Sequence, residues 1–187
     1  ASGNVGKEAS ALCRTSDLTL AEFKSLKGKM DGENKAAKTV DEYMKGTPSW
    51  RTDGYAQNGH LMSLRDSIRL FKQMGVKITP ELKKPDVDMP FDGFTQEQYA
   101  QKLIDELKAE GVRPQDVFLQ SFQLDDIRYW LKHEPAFGKQ AIFLDEELDP
   151  NARIAQMPEL RREGVNYLAP AIPFLLQNKG GKITASD

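Results

Sequence analysis

The stretch Ile78-Thr79-Pro80-Glu81-Leu82-Lys83 organises this chain: a short apolar segment ends there in two charged residues. Residues 76–82 are predicted to be a strand, and side chains along a strand alternate between two faces. Glu81 and Lys83 should therefore point the same way. A carboxylate can hold a hard cation through oxygen, and an ammonium can bind a phosphate oxygen. The pair indicates a functional site, with a simple strand-end ion pair as the alternative reading.

Length, composition and charge bound the class of protein. The chain has 187 residues, of which 39% are hydrophobic and 29% charged, as in a soluble globular protein. Its net charge of −2 creates no basic field for nucleic acid or an anionic membrane surface. No apolar run reaches the roughly 18 residues of a transmembrane helix, and no signal peptide is recognised. The single cysteine, Cys13, can form neither an internal disulfide nor a zinc site alone.

Helix and strand signals alternate along the second part of the chain. The predicted strands cover residues 76–82, 117–122, 140–144 and 165–169. The predicted helices begin after the caps Asp17, Ser63 and Thr95, and others cover 40–44, 124–133, 154–163 and 173–177. This alternation predicts parallel, adjacent strands in chain order with helices packed outside them. Residues 1–62 are expected to form an irregular insertion or cap segment, and residues 63–187 the α/β part of one domain.

Right-handed crossovers leave two architectures, an open doubly wound sheet or part of a (β/α)₈ barrel. No glycine-rich phosphate motif follows the strands, which disfavours a nucleotide-binding sheet. Polar residues instead collect where the strands end, as in barrel enzymes; they are Glu81, Lys83, Gln120, Ser121 and Asp145. The expected fold is α/β, a partial (β/α)₈ TIM barrel of about four parallel strands with outer helices. Four strands are too few to close such a barrel.

Five segments occur in a fixed order along most of the chain: 16–24, 47–53, 79–83, 120–122 and 164–170. In this order they resemble the glycerophosphodiester phosphodiesterases, a family of metal-dependent (β/α)₈ barrels. The resemblance is greatest to the secreted branch with a long insertion, and it implies a periplasmic or extracellular location.

The resemblance also implies an activity and a set of site residues. The expected reaction is hydrolysis of a small-molecule glycerophosphodiester to glycerol 3-phosphate and an alcohol, with Ca²⁺ or Mg²⁺ as cofactor. Glu81 corresponds to a metal ligand of the family, and Lys83 to a catalytic cation beside the substrate phosphate. Gln120, Ser121 and Phe122 correspond to a strand end that borders the substrate.

The chain departs from the family at several motifs. The chain has no counterpart of the family's His-Arg-Gly motif, of the Glu-x-Asp pair that completes its metal site, of its His-Asp motif or of its last, Trp-bearing strand. The chain matches the insertion and the middle strands, four to seven. Its two histidines lie elsewhere: His60 is expected to be solvated or capping, and His133 to be structural at a helix end. With one matching carboxylate and no suitable imidazole, the chain is expected to be inactive alone.

Three hypotheses remain open at the level of sequence. The chain is part of an active phosphodiesterase, a non-catalytic barrel-like protein that binds a phosphorylated ligand or a partner, or an unrelated α/β binding domain. A partial barrel would expose strand edges and an apolar face. We therefore expect it to pair with a second copy through those edges or with the missing segments.

Overall fold

The computed structural model describes residues 14–28, 32–51, 59–147 and 149–186. Cys13 and the end of the 47–53 segment lie outside the described residues. The chain divides into two compact units, residues 1–63 and 64–187. In the described part of the chain, no helix is both long and apolar enough to cross a membrane.

The first unit holds short elements. A 3₁₀ turn at Thr15–Asp17 precedes α1 (Leu20–Ser25), β1 (Lys27–Gly28), α2 (Val40–Met44) and β2 (Gly59–His60), and β1 pairs with β2 antiparallel. The bounds predicted for α2 are confirmed. The predicted cap Asp17 is wrong, because Thr19 caps α1 in a reciprocal capping box with Glu22.

The second unit alternates helices with parallel strand segments. Its helices are α3 (Leu64–Met74), α4 (Gln96–Ala109), α5 (Leu124–His133), α6 (Pro135–Gly138), α7 (Pro150–Glu163) and α8 (Ile172–Leu175), with a 3₁₀ turn at Pro114–Asp116. Its strands are β3 (Gln120–Ser121), β4 (Ile142–Leu144), β5 (Tyr167–Ala169), β6 (Leu176–Lys179) and β7 (Lys182–Ala185). The capping box predicted at Thr95 and the bounds predicted for α5 are confirmed.

The parallel sheet has the order β3-β4-β5. The preceding segment runs parallel to it, with isolated bridges from Ile78 to Val117 and from Glu81 to Gln120. The predicted parallel, adjacent, chain-order arrangement is therefore confirmed. No sheet in the described part of the chain closes into a barrel. The molecule is a mixed α/β protein with small sheets.

The predicted strand 76–82 is wrong as a continuous strand, because it is reduced to bridges at Ile78 and Glu81. The cause is Pro80, which has no N–H to donate to the neighbouring segment. The Thr79 hydroxyl donates to the Phe118 carbonyl instead, at 2.9 Å. The backbone bonds on either side persist, so the chain keeps its course beside β3.

The core of the second unit lies between one face of this sheet and the helices. Side chains alternate, so that Leu119 and Ser121 are fully buried while Gln120 between them is half-buried. Trp130 of α5 is fully buried in the same cluster as Leu119 and Phe143, and its Nε1 donates to the Ala100 carbonyl at 3.0 Å. The opposite face of the sheet carries Gln120 and Glu81.

Candidate functional site

Glu81 and Lys83 lie at the carboxyl end of the segment that runs beside β3. The Lys83 Nζ lies 3.2 Å from the Glu81 Oε1, which confirms that both side chains point the same way. The Lys83 side chain is 78% exposed and that of Glu81 25%. The contact is also the simple ion pair of the alternative reading, so the geometry is compatible with both.

Gln120 of β3 lies opposite Glu81 across the parallel bridge. The Gln120 N–H donates to the Pro80 carbonyl and the Leu82 N–H donates to the Gln120 carbonyl, each at 2.8 Å. Phe122 follows β3 and is 39% exposed. Because side chains alternate, Gln120 and Phe122 project to the face that carries Glu81.

Ser121 belongs to the other face. Its side chain is fully buried, and its hydroxyl donates to Asp126 Oδ2 at 2.8 Å and accepts from the Gln123 N–H at 3.0 Å. Ser121 therefore adjoins the site through its backbone, with its side chain among the helices.

The face that carries Glu81 continues across the sheet as an apolar surface. Gln120 is in register with Ile142, and Ile142 with Tyr167. The rings of Tyr167 and Phe118 meet edge to face, with centroids 5.8 Å apart. Tyr167 is 44% exposed. The site thus combines one carboxylate, one ammonium and an amide with a partly exposed aromatic and aliphatic surface.

Asp145 follows β4 directly, where it is either one of the expected site residues or a cap or loop residue. It is 5% exposed, and its two oxygens accept from Arg153 Nε and Nη2, each at 2.6 Å. Asp145 Oδ1 also accepts from the Glu147 N–H at 2.9 Å. The side chain is thus fully engaged in anchoring the start of α7, which favours the structural reading.

Neither histidine belongs to the segment between α3 and α4 that carries Glu81 and Lys83. His60 is exposed in β2, where it pairs with Lys27. His133 is the last residue of α5, as predicted, and its ring stacks on Tyr129 with centroids 4.7 Å apart.

The donor chemistry suits a hard cation only in part. The Glu81 carboxylate is an oxygen ligand of the kind that Ca²⁺ and Mg²⁺ prefer. Among the residues that the structure describes, no group of three or more His, Cys, Asp or Glu is placed to hold a metal ion. Glu81 fits as one oxygen ligand, and a complete shell would need further oxygen atoms from other groups or from water.

A cavity of about 380 Å³ lies at the amino ends of the first two segments of the sheet, where Lys77, Ile78 and Asp116 line it. Glu81 and Lys83 lie at the carboxyl ends and are not among its lining residues. Barrel enzymes place their chemistry at the carboxyl ends. The polar groups there, rather than this cavity, define the candidate site.

Asp126, which lies in the first turn of α5, is not among the site residues expected from the sequence. In the structure it is 2% exposed and accepts from Gln96 Nε2 and Ser121 Oγ, each at 2.8 Å. Burial raises the pKa of its carboxyl above the ordinary value, and the two hydrogen bonds oppose part of that rise. The signal was present, since Asp126 lies one helical turn before the buried Trp130.

Comparison with known proteins identifies a relative whose name states no activity. No family model matches the chain, and no solved structure matches it. The chain is 48% identical over 165 residues to a protein of Arthroderma benhamiae named "Extracellular protein". The alignment covers 84% of this chain and 67% of that relative. At this identity and coverage, the chain belongs to the same family as the Arthroderma extracellular protein.

Proposed function

We propose that this chain supplies the middle of a glycerophosphodiester phosphodiesterase, as a partial (β/α)₈ barrel. The observation that carries the proposal is the position of Glu81 and Lys83 on one face, at the carboxyl end of a parallel segment and opposite Gln120. The parallel, chain-order arrangement of the neighbouring strands supports the barrel.

Each side chain has a defined role in this proposal. Lys83 places positive charge beside the phosphate, where negative charge grows during hydrolysis. Glu81 is one oxygen ligand of Ca²⁺ or Mg²⁺, which when bound neutralises the non-bridging phosphate oxygens. Gln120 offers an amide to the polar part of the substrate, and Phe122 borders its carbon skeleton. Ser121 contributes through its backbone and through its buried hydroxyl.

The proposed location is extracellular. The Arthroderma relative carries the name "Extracellular protein". A secreted glycerophosphodiesterase would meet its water-soluble substrates outside the cell.

The first test concerns the isolated 187-residue chain and glycerophosphocholine. We expect negligible turnover with or without added Ca²⁺ or Mg²⁺, because the histidines that serve as general acid and base in the resembled family have no counterpart beside Glu81 and Lys83. A coupled assay for glycerol 3-phosphate measures the reaction. Robust turnover would refute the assignment of the missing groups to other segments.

The second test concerns a longer protein that contains this chain together with the missing motifs. Glu81→Gln should remove most of the activity, because it deletes a charged ligand while preserving shape. Lys83→Met should lower kcat/KM by roughly 10²-fold, the scale of losing one donor to developing charge. Lys84→Met is the matched control, since it removes the same charge from the adjacent exposed lysine, whereas Lys83 is the lysine that pairs with Glu81. Wild-type turnover in Glu81→Gln would reject the ligand assignment.

A second candidate is a non-catalytic protein that binds a phosphorylated ligand. The Glu81–Lys83 ion pair favours it, because a paired carboxylate needs no metal ion. Binding of glycerol 3-phosphate by the longer protein, with no hydrolysis of any glycerophosphodiester, would support this candidate over the enzyme.

A further inference from the structure

A buried polar network lies behind the end of β3, on the face of the sheet that the helices cover. Asp126 is 2% exposed and Ser121 is fully buried. The Asp126 carboxylate accepts from Ser121 through Oδ2 and from Gln96 through Oδ1, each at 2.8 Å. Gln96 is the first residue of α4, and Asp126 lies in the first turn of α5. One carboxylate therefore joins β3 to the starts of two helices.

Ser121 extends this network to the backbone around the candidate site. Its hydroxyl oxygen accepts from the Gln123 N–H at 3.0 Å and lies 3.3 Å from the Leu82 carbonyl oxygen. Leu82 is the residue between Glu81 and Lys83. The network thus contacts the backbone of both segments that carry candidate site residues.

Because side chains alternate along a strand, the hydrogen bonds of Ser121 also fix the direction of the side chains next to it. Gln120 and Phe122 flank Ser121, so they must project to the opposite face while Ser121 is held. Burying a carboxylate costs free energy unless its hydrogen bonds are made. Any rotation of the strand end that displaced Ser121 would break a bond to that carboxylate, and is resisted for that reason.

We propose that Asp126, acting through Ser121, is a positioning residue that fixes the direction of Gln120 and Phe122 in the substrate site. This inference rests on the proposed function of that site. The side chain of Asp126 does not itself contact the substrate.

Amide hydrogen exchange in the 187-residue chain tests the constraint. Ser121→Ala and Asp126→Ala should each speed exchange of the Gln123 amide at least about tenfold, because its bond to Ser121 is lost or loosened. Asp126→Asn should retain most of the protection, since its amide can still accept from Gln96 and bond to Ser121. Asp125→Asn is the control: it removes a charge of the same sign from the neighbouring side chain, which is 88% exposed.

Binding of glycerol 3-phosphate provides the second readout. NMR spectra measure it through the resonances of the Gln120 side-chain amide and the Phe122 ring. Wild type, Asp125→Asn and Asp126→Asn should show the same ligand-induced shifts. Ser121→Ala and Asp126→Ala should weaken binding at least about fivefold while the Trp130 indole N–H keeps its native resonance. Rescue by asparagine distinguishes positioning from a charge effect. Ser121→Ala removes one oxygen atom and carries the test if Asp126→Ala fails to fold.

The outcomes separate the two proposals. Unchanged Gln123 exchange in both alanine variants overturns the positioning role, and so does an equal loss of protection throughout α5. If exchange responds as expected but glycerol 3-phosphate binds neither the 187-residue chain nor the longer protein with the missing motifs, the proposed function fails and Asp126 remains the residue that orients this strand end.

Discussion

Gly138 allows α6 to cross the backbone of α5 at very short range. A Cβ built at this position would lie 2.5 Å from the carbonyl carbon and oxygen of Trp130 and 2.6 Å from the Leu131 nitrogen. These atoms belong to helix backbone and cannot move aside as a flexible side chain would. The packing around the fully buried Trp130 therefore depends on a glycine eight residues later in the chain.

Gly138→Ala should destabilise the chain by about 2–3 kcal/mol, because α6 must separate from α5 and loosen the packing around Trp130. Urea denaturation followed by tryptophan fluorescence measures the change. Gly75→Ala is the control: its φ is +68°, but a Cβ there meets nothing within 4 Å. It should cost only about 1 kcal/mol, from backbone strain alone. Equal costs for the two variants would contradict the crowding at Gly138.

The buried carboxyl of Asp126 makes the stability of the folded chain depend on pH. Its folded-state pKa is raised, chiefly by burial. The folded state therefore binds the proton more tightly than the unfolded state, whose pKa is about 3.9. The resulting stability is fully present below the unfolded pKa and is lost as pH rises through the folded pKa.

The wild type should accordingly lose stability relative to Asp126→Asn as pH rises from about 3 through the folded pKa, and the difference should then level off. Urea denaturation of both proteins across a pH series measures it. A relative gain of stability by the wild type with rising pH would contradict the buried, ionising carboxyl.

At the scale of elements, helices α5 and α7 are joined by a two-point ion pair. Arg128 Nε and Nη2 donate to the two carboxylate oxygens of Glu163, at 2.7 Å and 2.9 Å. The hydrogen bond from Arg128 lowers the pKa of the Glu163 carboxyl, and the positive charge of Arg128 adds to that effect. Glu163 is the last residue of α7, so this pair fixes where the helix ends against its neighbour.

Glu163→Gln should lower stability at pH 7 by about 0.5–1 kcal/mol, a modest value because the Arg128 side chain is 48% exposed. The contribution is present above the unfolded pKa of about 4.3 and should vanish as pH falls through the lowered folded pKa. Thermal denaturation at several pH values checks both. Glu159→Gln, within an exposed pair on the same helix, should change stability less. An undiminished effect at pH 3 would show that charge is not the cause.

Local sequence signals are present for the elements that were predicted and also for two features that were not, the capping box at Thr19 and the β6–β7 hairpin. Thr95 and Gln98 form the expected capping box. Thr19 and Glu22 form another from the same pattern, where Asp17 was the expected cap. The β6–β7 hairpin is not among the elements expected from the sequence. Its two-residue turn is Gly180-Gly181, with both φ angles positive, which is a strong hairpin signal.

The candidate site was predictable where alternation alone decides direction, as for Glu81, Lys83 and Gln120. It was less predictable where the packing of helices decides what a side chain meets. The sequence did not show that Arg153 would return to Asp145, or that Ser121 would bond to Asp126 five residues later. Such contacts depend on the register of whole elements, which single-sequence patterns fix poorly.

At the scale of the whole molecule, the parallel sheet is covered on one face by helices and carries exposed apolar groups on the other. Tyr167 is 44% exposed, and in the described part of the chain β5 pairs with β4 alone. Exposed edges and apolar faces promote association.

The 187-residue chain should therefore associate with rising concentration, as light scattering can measure. Tyr167→Lys should shift the chain toward monomer, because it places a charge on the open face. Ile183→Lys is the matched control: Ile183 is 67% exposed but belongs to the separate β6–β7 sheet. A wild type that stays monomeric at high concentration, or equal effects of both lysines, would count against the open face as the contact.

The order of the sheet has a consequence for synthesis. Each segment pairs with the one that precedes it in the chain, from Ile78 with Val117 to β4 with β5. A ribosome delivers residues in the same order, at about 5–20 per second. Each new strand therefore finds its partner already made, and the growing edge is always the most recent strand. Glu81 and Gln120 can meet on a nascent chain before α7 and β5 have been translated.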